Sequence, residues 1–202
     1  KSVDGGDSWD PVLVPSNIEE GICRKIVLHP VLTNVVYAIV GHRVYKSIDA
    51  GGNWSLIFDN AQNPNKLELF DIEVISNGTT DNVLVSSFSK RKSWGCTTIP
   101  AGCYAWGSLP GCQTKCTAKV WSFDVGQNGT SLFNFVDLTT ILPGYNPVTV
   151  LVALSVTPNS WNIACQTNYD ATNNSPPAEI KIYRKTLNNP WAHLSTTTAY
   201  GL

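Results

Sequence analysis

The sequence contains no methionine, few charged residues and no long apolar run. Only 14% of its 202 residues are charged, and 14 basic side chains against 15 acidic ones leave a formal net charge of −1. The chain therefore lacks the basic stripe that marks nucleic-acid-binding proteins. We expect no nucleic-acid partner.

The apolar segments are all short. None approaches the ~20 residues that a membrane-spanning helix requires, so we expect no membrane span in this segment. The chain begins at Lys1 without the charged and apolar regions of a signal peptide. These features predict a soluble chain from which an upstream portion has been removed or is missing.

Residue patterns that bind metals are also missing. The three histidines His29, His42 and His193 stand apart, with no Ser-His-Asp or metal-ligand pattern around them. Asp4 and Asp7 lack the spacing of an EF-hand loop. The sequence predicts no metal site and no cofactor, and we interpret His29, in a His-Pro turn, as structural.

Six cysteines allow two interpretations, disulfides or zinc. Only Cys112 and Cys116 have the spacing of a zinc knuckle, and four N-x-S/T sequons favour an extracellular or luminal protein with disulfides and N-glycans. The disulfide candidates are Cys23, Cys96, Cys103, Cys112, Cys116 and Cys165, of which Cys23 and Cys165 are left without an assigned partner. The glycosylation candidates are Asn53, Asn77, Asn128 and Asn173.

Three aligned units repeat along the chain. Each has an apolar strand, a turn and a second apolar run, as in IVLHPVLTNVVYAIV from Ile26, IEVISNGTTDNVLVSS from Ile72 and LSVTPNSWNIACQT from Leu154. An alternating strand and a fourth strand follow in each unit. Four short antiparallel strands per repeat predict an all-β fold made of β-propeller blades.

The blade count is incomplete for a ring. Residues 1–15 would end one blade, and residues 18–60, 66–138 and 147–198 would form three more, whereas closed propellers use about 4–8. We expect an open arc or a fragment of a larger propeller. Its apolar end faces require cover, either by further blades of a longer chain or by other copies, and a head-to-tail contact that does not close makes a filament.

A nonapeptide occurs twice, as KSVDGGDSW from Lys1 and KSIDAGGNW from Lys46. In its pattern S-x-D-x-G-x-x-W, Asp can accept backbone N–H groups of a turn, Gly permits positive φ, and Trp supplies an apolar plug. A third copy is degenerate. The pattern residues are Ser2, Asp4, Gly6 and Trp9, then Ser47, Asp49, Gly51 and Trp54, then Ser122, Asp124 and Gly126.

This pattern resembles the Asp-box, or BNR, repeat. The stretch LHPVLTNVVYAIVGHRVYKSIDAGGNWSLI is most similar to the propellers of the sortilin/Vps10 family, over about residues 1–60. The resemblance implies a propeller fold and a broad class of proteins. It transfers no ligand-contact residue, because the motif is structural wherever it occurs.

A cysteine-rich insertion, residues 89–117, interrupts the middle unit. Loops of this length are usually functional or disordered, and disulfides would order this one. Tyr104 and Trp106 could then form a binding surface for protein or glycan, or the insertion could only cover a blade edge. Its four cysteines allow three connectivities.

Paired carboxylates would be the sign of a glycoside hydrolase. Glu19 with Glu20, and Asp71 with Glu73, are the visible pairs, and the second pair would share one face of a strand. Solvated or capping carboxylates are the commoner explanation. We therefore predict no catalytic residue and a protein that is not an enzyme.

Three functions follow from the sequence. We favour a non-catalytic extracellular module for protein interaction, a glycoprotein subunit of a fibre or surface structure. The alternatives are a fragment of a sortilin-like ligand-binding receptor and an Asp-box glycoside hydrolase.

Overall fold

The computed structural model of the chain consists almost entirely of β-strands. It describes residues 1–13, 22–60, 68–88, 90–92, 103–106, 113–116, 118–143, 149–157, 160–167, 178–186 and 189–199. Within them no helix is long and apolar enough to cross a membrane, and a 3-10 turn spans Leu138–Thr140.

Twelve strands form three antiparallel sheets of four strands each. The first sheet contains β1 (Cys23–Leu28), β2 (Val36–Val40), β3 (Arg43–Ser47) and β4 (Ser55–Asp59). The second contains β5 (Leu69–Ser76), β6 (Thr80–Ser87), β10 (Val120–Gly126) and β11 (Leu132–Asp137). The third contains β12 (Thr149–Thr157), β13 (Ser160–Thr167), β14 (Ala178–Thr186) and β15 (Ala192–Ala199). The predicted all-β fold with four-stranded propeller blades is confirmed.

The insertion forms a small sheet of its own. Its strands β7 (Lys90–Lys92), β8 (Cys103–Trp106) and β9 (Gln113–Cys116) pair in the order β7-β9-β8. Strands β6 and β10, on either side of it in sequence, still pair directly, with Val85 opposite Trp121. The insertion therefore leaves the blade's hydrogen-bond ladder continuous.

Alternation along the strands of the second sheet divides the core in two. In β6, Val83 and Val85 belong to a buried cluster shared with the first sheet, whereas Leu84 belongs to one shared with the third sheet. Successive strand residues point to opposite faces, so the middle sheet contributes a buried face to each neighbour. Both the first and the third sheet thus pack against the second, in an open arc.

The first thirteen residues form a turn without a strand. The amino group of Lys1 and the backbone N–H of Asp10 exchange hydrogen bonds with the carbonyls of Asp10 and Lys1. We expected a turn and a strand over residues 1–15. Only the turn lies within the described residues, which here end at residue 13.

Candidate functional site

The first nonapeptide is a turn held together by its Ser and Asp side chains. The hydroxyl of Ser2 donates to Asp4 Oδ1 at 2.8 Å and accepts the backbone N–H of Gly6 at 2.7 Å. Asp4 also accepts the backbone N–H of Ser8 at 3.0 Å. Trp9 closes the turn by donating its indole N–H to the carbonyl of Gly6 at 3.0 Å.

The second nonapeptide repeats these contacts. Ser47 donates to Asp49 Oδ1 at 2.8 Å and accepts the N–H of Gly51 at 2.8 Å, and Asp49 accepts the backbone N–H of Asn53 at 2.8 Å. Positive φ angles at Ala50 and Gly51 close the turn. Hydrogen bonds from Asn53 and Ser47 hold the pKa of Asp49 well below its usual range.

The third copy does not form this turn. Ser122 and Asp124 lie within β10, which continues to Gly126 in register with β6. Asp124 accepts side-chain amide N–H groups of Asn82 and Asn134, both at 2.8 Å, where Asp4 and Asp49 accept backbone N–H groups. The expectation of a third turn at these residues is therefore corrected, because strand pairing extends through the motif.

Three of the four sequons lie in described residues. Asn53, Asn77 and Asn128 are all exposed. Asn77 forms a turn in which its side-chain oxygen accepts the backbone N–H groups of Thr79 and Thr80 at 3.0 and 2.9 Å. Asn173 lies outside the described residues. N-glycosylation of these positions remains a prediction.

The cysteines fall into two groups. Cys23 and Cys165 are free thiols, the first exposed and the second buried. The backbone register of the insertion places Cys103 opposite Cys116. Cys96 and Cys112, like the side chains of Tyr104 and Trp106, lie outside the described part of the chain, so the disulfide and binding-loop hypotheses for the insertion stay predictions.

We expect stability to fall as the pH rises from about 9 to 12. Burial raises the pKa of Cys165 from 9.0 to about 12 and that of Tyr183 from 10.0 to about 12. The folded state then keeps protons that the unfolded chain releases, and such a group loses its contribution with rising pH. Burial lowers the pKa of Lys46. Stability therefore rises with pH in the range where Lys46 titrates.

Urea unfolding at a series of pH values measures this dependence. The non-titrating variant Cys165→Ser should show a flatter decline than the wild type between pH 9 and 10. A decline equally steep in both proteins would contradict the assignment to Cys165.

The carboxylate pair Asp71 and Glu73 is engaged in an ion pair. Lys25 Nζ lies 2.6 Å from Asp71 Oδ1 and 2.7 Å from Glu73 Oε1. Asp71 also accepts the backbone N–H of Leu154 in the third sheet at 2.8 Å. The two carboxylates do share one face, as predicted, and there they join the blades. Glu19 and Glu20 lie outside the described residues.

A buried polar cluster was not predicted from the sequence. Asp81 has a fully buried side chain that bonds His29 Nε2 at 2.8 Å and accepts the hydroxyl proton of Tyr37. Lys46 Nζ lies 3.4 Å from Asp81 and donates to the carbonyl of Gly126 at 2.7 Å. This cluster connects the first and second sheets. One feature of the sequence could have indicated it. Lys46 is a cation at a position of β3 where the apolar–polar alternation predicts a side chain that points into the core.

These contacts also affect proton binding. Burial and the neighbouring Asp81 raise the pKa of Tyr37 above its usual range.

Within the described residues no group of three or more His, Cys, Asp or Glu side chains is placed to hold a metal ion.

The outward face of the first sheet carries exposed apolar residues on its edge strands β1 and β4, whereas Val36 and Ala38 of β2 on the same face are buried. Ile26, opposite Ala38 in the sheet, is 59% exposed, Leu28 is 70% exposed and Leu56 is 47% exposed. Leu56 lies in the same cross-strand row as Ile26. The opposite face, with Tyr37, packs on the second sheet. We call the side that faces away from the second sheet the free face of the first blade.

The free face of the third blade has one polar cross-strand row beside an apolar row of Ala153, Ala164 and Ile182. Ser155, Asn162 and Arg184 form one cross-strand row on it, and Arg184 donates to Asn162 at 2.9 Å. Ser155 and Arg184 are exposed. This polar row differs from the row of Ile26, Ala38 and Leu56 on the first blade.

Comparisons with known proteins reach only distant structures. No protein-family model and no curated protein matches the chain. It is similar to the catalytic domain of the Coprinopsis cinerea GH62 α-L-arabinofuranosidase at 10% identity with a TM-score of 0.46, over 86% of this chain and 50% of that one. It is also similar to the GH32 β-fructofuranosidase of Bombyx mori at 9% identity and TM-score 0.47, over 87% of this chain and 35% of that one.

A third similar structure is YCF48 from Cyanidioschyzon merolae, at 12% identity and TM-score 0.31, over 89% of this chain and 58% of that one. The chain therefore spans less than two thirds of each of these proteins. Identities this low indicate shared fold alone.

The prediction that the protein is not an enzyme is wrong. It is overturned by the two glycoside hydrolases among these matches, since a fold found in such enzymes gives no ground for excluding catalysis. The matches assign no reaction to this chain.

Proposed function

We propose that the protein is an extracellular β-propeller module for protein interaction and assembly. In this proposal it is a glycosylated segment of a fibre or surface structure, and its free blade faces contact other copies of the chain or further blades. The likeness of its turns to Asp boxes, and of residues 1–60 to sortilin/Vps10 propellers, supports membership of the extracellular propellers.

The observation that carries the proposal is the set of exposed apolar residues on the free face of the first blade. Ile26 and Leu28 lie on adjacent rows of one sheet face, and both are more than half exposed. Covering a large apolar side chain is worth about 1.5–3 kcal/mol. A partner surface that covers these residues would therefore gain substantial free energy.

The difference between the two free faces favours a head-to-tail arrangement. The first blade presents apolar side chains and the third presents a row with Ser155 and Arg184, so a two-fold contact would use only one of them. Contacts between unlike faces generate rings or open filaments.

A receptor-like role is the second candidate, favoured by a cavity at the ends of β1, β5 and β12, the first strands of the three sheets. Its volume is about 420 Å³, and residues from all three blades line it, among them Val31, Val74 and Val156. Ligand pockets typically have volumes of about 300–1,000 Å³ and mainly apolar walls. An apolar ligand of that size would fit.

Light scattering combined with negative-stain imaging tests the assembly proposal. We expect particles much heavier than one 22.0 kDa chain plus its sugars. The variants Ile26→Asp and Leu28→Asp should reduce the particles to single chains, because each places a charge in the apolar contact.

A matched control is Val3→Asp, which changes an apolar residue that is 86% exposed but lies outside the blade faces. This variant should assemble like the wild type. A wild-type protein that is monomeric at micromolar concentration would reject the assembly proposal and favour the receptor.

A further inference from the structure

A small cavity lies in the cleft between the second and third blades. Its volume is about 120 Å³, and it is lined by side chains from both blades. Leu138 and Trp191 contribute apolar and aromatic walls, Asn82 and Ser122 contribute polar groups from the second blade, and Trp161 and Lys185 come from the third.

Two hydrogen-bond donors at this cavity have no acceptor in the described part of the chain. Trp161 is only 8% exposed, and its indole N–H has no hydrogen-bond partner. Buried N–H groups are nearly always paired. Lys185 Nζ lies 5.5 Å from the centre of the Trp161 ring, and no carboxylate of the described residues pairs with it.

The other polar groups of the cavity are already engaged. The amide of Asn82 donates to Ser122 Oγ at 3.2 Å and to Asp124 at 2.8 Å. Asp124 is the acidic group of this network, and each of its carboxylate oxygens accepts a hydrogen bond, one from the amide of Asn82 and one from that of Asn134. What the cavity lacks is therefore an acceptor, preferably an anionic one, for the indole N–H and the ammonium group.

We propose that this cavity binds the carboxylate of a small organic acid or of an acidic side chain. A carboxylate accepts from both an indole N–H and an ammonium group, and charge-assisted hydrogen bonds of this kind are the stronger ones. A short aliphatic chain attached to it would lie against Trp191 and Leu138. The volume is below the usual range for drug-sized ligands, about 300–1,000 Å³, so only a small group enters. The inference is independent of the proposed assembly function.

Nuclear magnetic resonance of the indole N–H groups tests this site. Titration of the full chain with sodium propionate should shift the Trp161 signal and saturate at millimolar concentration. Trp54 is an internal control in the same spectrum, because its indole N–H is also buried and unpartnered but it does not line this cavity. Propionamide, the uncharged isostere, should have little effect.

The variant Lys185→Met should weaken propionate binding by about tenfold or more, the loss expected for one charge-assisted contact. Lys185→Arg should retain most of the affinity. Blocked glutamate, N-acetylglutamate-N′-methylamide, distinguishes an acidic side chain of a protein from a free organic acid as the natural ligand. Tighter binding of blocked glutamate than of propionate indicates a protein side chain. Weaker binding indicates a free acid. Equal shifts at Trp161 and Trp54, or equal responses to propionate and propionamide, would overturn the proposal.

Discussion

Asp81→Asn is expected to lower the free energy of unfolding by about 3–5 kcal/mol, the range for breaking a buried ion pair by removing one partner. The substitution keeps the shape of the side chain but removes the charge that faces Lys46. The ammonium group would then be buried with the carbonyl of Gly126 and the ring of Tyr37 as partners but without an anion. The hydrogen bonds to His29 and Tyr37 would change as well.

Urea unfolding of Asp81→Asn and of a matched variant, Asp124→Asn, measures the effect. Asp124 is also a carboxylate of the second sheet, but it is only partly buried and has no cation as partner in the described residues. Its substitution should cost about 1 kcal/mol. Adding Lys46→Met to Asp81→Asn should restore part of the loss, because the unpaired charge is removed. An equal loss of unfolding free energy in Asp81→Asn and Asp124→Asn would contradict a special contribution of the buried pair of Asp81 and Lys46 to stability.

Asp71→Ala is expected to destabilise the protein by about 3 kcal/mol, because buried donors left unpaired cost about 1–3 kcal/mol each. Asp71 accepts the backbone N–H of Leu154 and its own neighbour Ile72, at 2.8 and 2.9 Å, in addition to Lys25. The bond to Leu154 joins the second blade to the third. Without the Asp71 carboxylate, the buried backbone N–H of Leu154 has no acceptor at this position.

The matched control is Glu73→Ala. Glu73 also pairs with Lys25. Within the described residues, however, its side chain accepts no backbone N–H group. Because the pair with Lys25 is partly exposed, its loss should cost about 1 kcal/mol or less. Thermal or urea unfolding that gives the two variants the same stability would contradict the role of Asp71 as a link between blades.

The strands could be predicted from the sequence because their signals are local. Alternating apolar residues and short turns between Ile26 and Trp54 are enough to indicate four strands and a tight turn. The same reasoning failed at Asp124, where the motif is present but pairing with β6 keeps the chain extended. There the competing interaction comes from a strand about 40 residues away.

The polar clusters could not be predicted, for the same reason. Asp71 and Glu73 resemble a candidate acid pair in the sequence because their shared partner, Lys25, is 46 and 48 residues away from them. Asp81 gave no signal at all, since its three partners come from another blade. Sequence spacing places neighbours on one strand or turn, but it does not show which charges meet across a blade interface.

The arc arrangement also determines how the protein loses structure. Each outer blade contacts only the middle one through its core, as in repeat proteins whose stability is a sum of units and nearest-neighbour interfaces. The middle sheet contributes to both cores, with Val83 in one and Leu84 in the other, whereas each outer sheet contributes to one. Local opening therefore starts at the outer blades and reaches the middle one last, so amide hydrogens in β6 exchange with solvent most slowly.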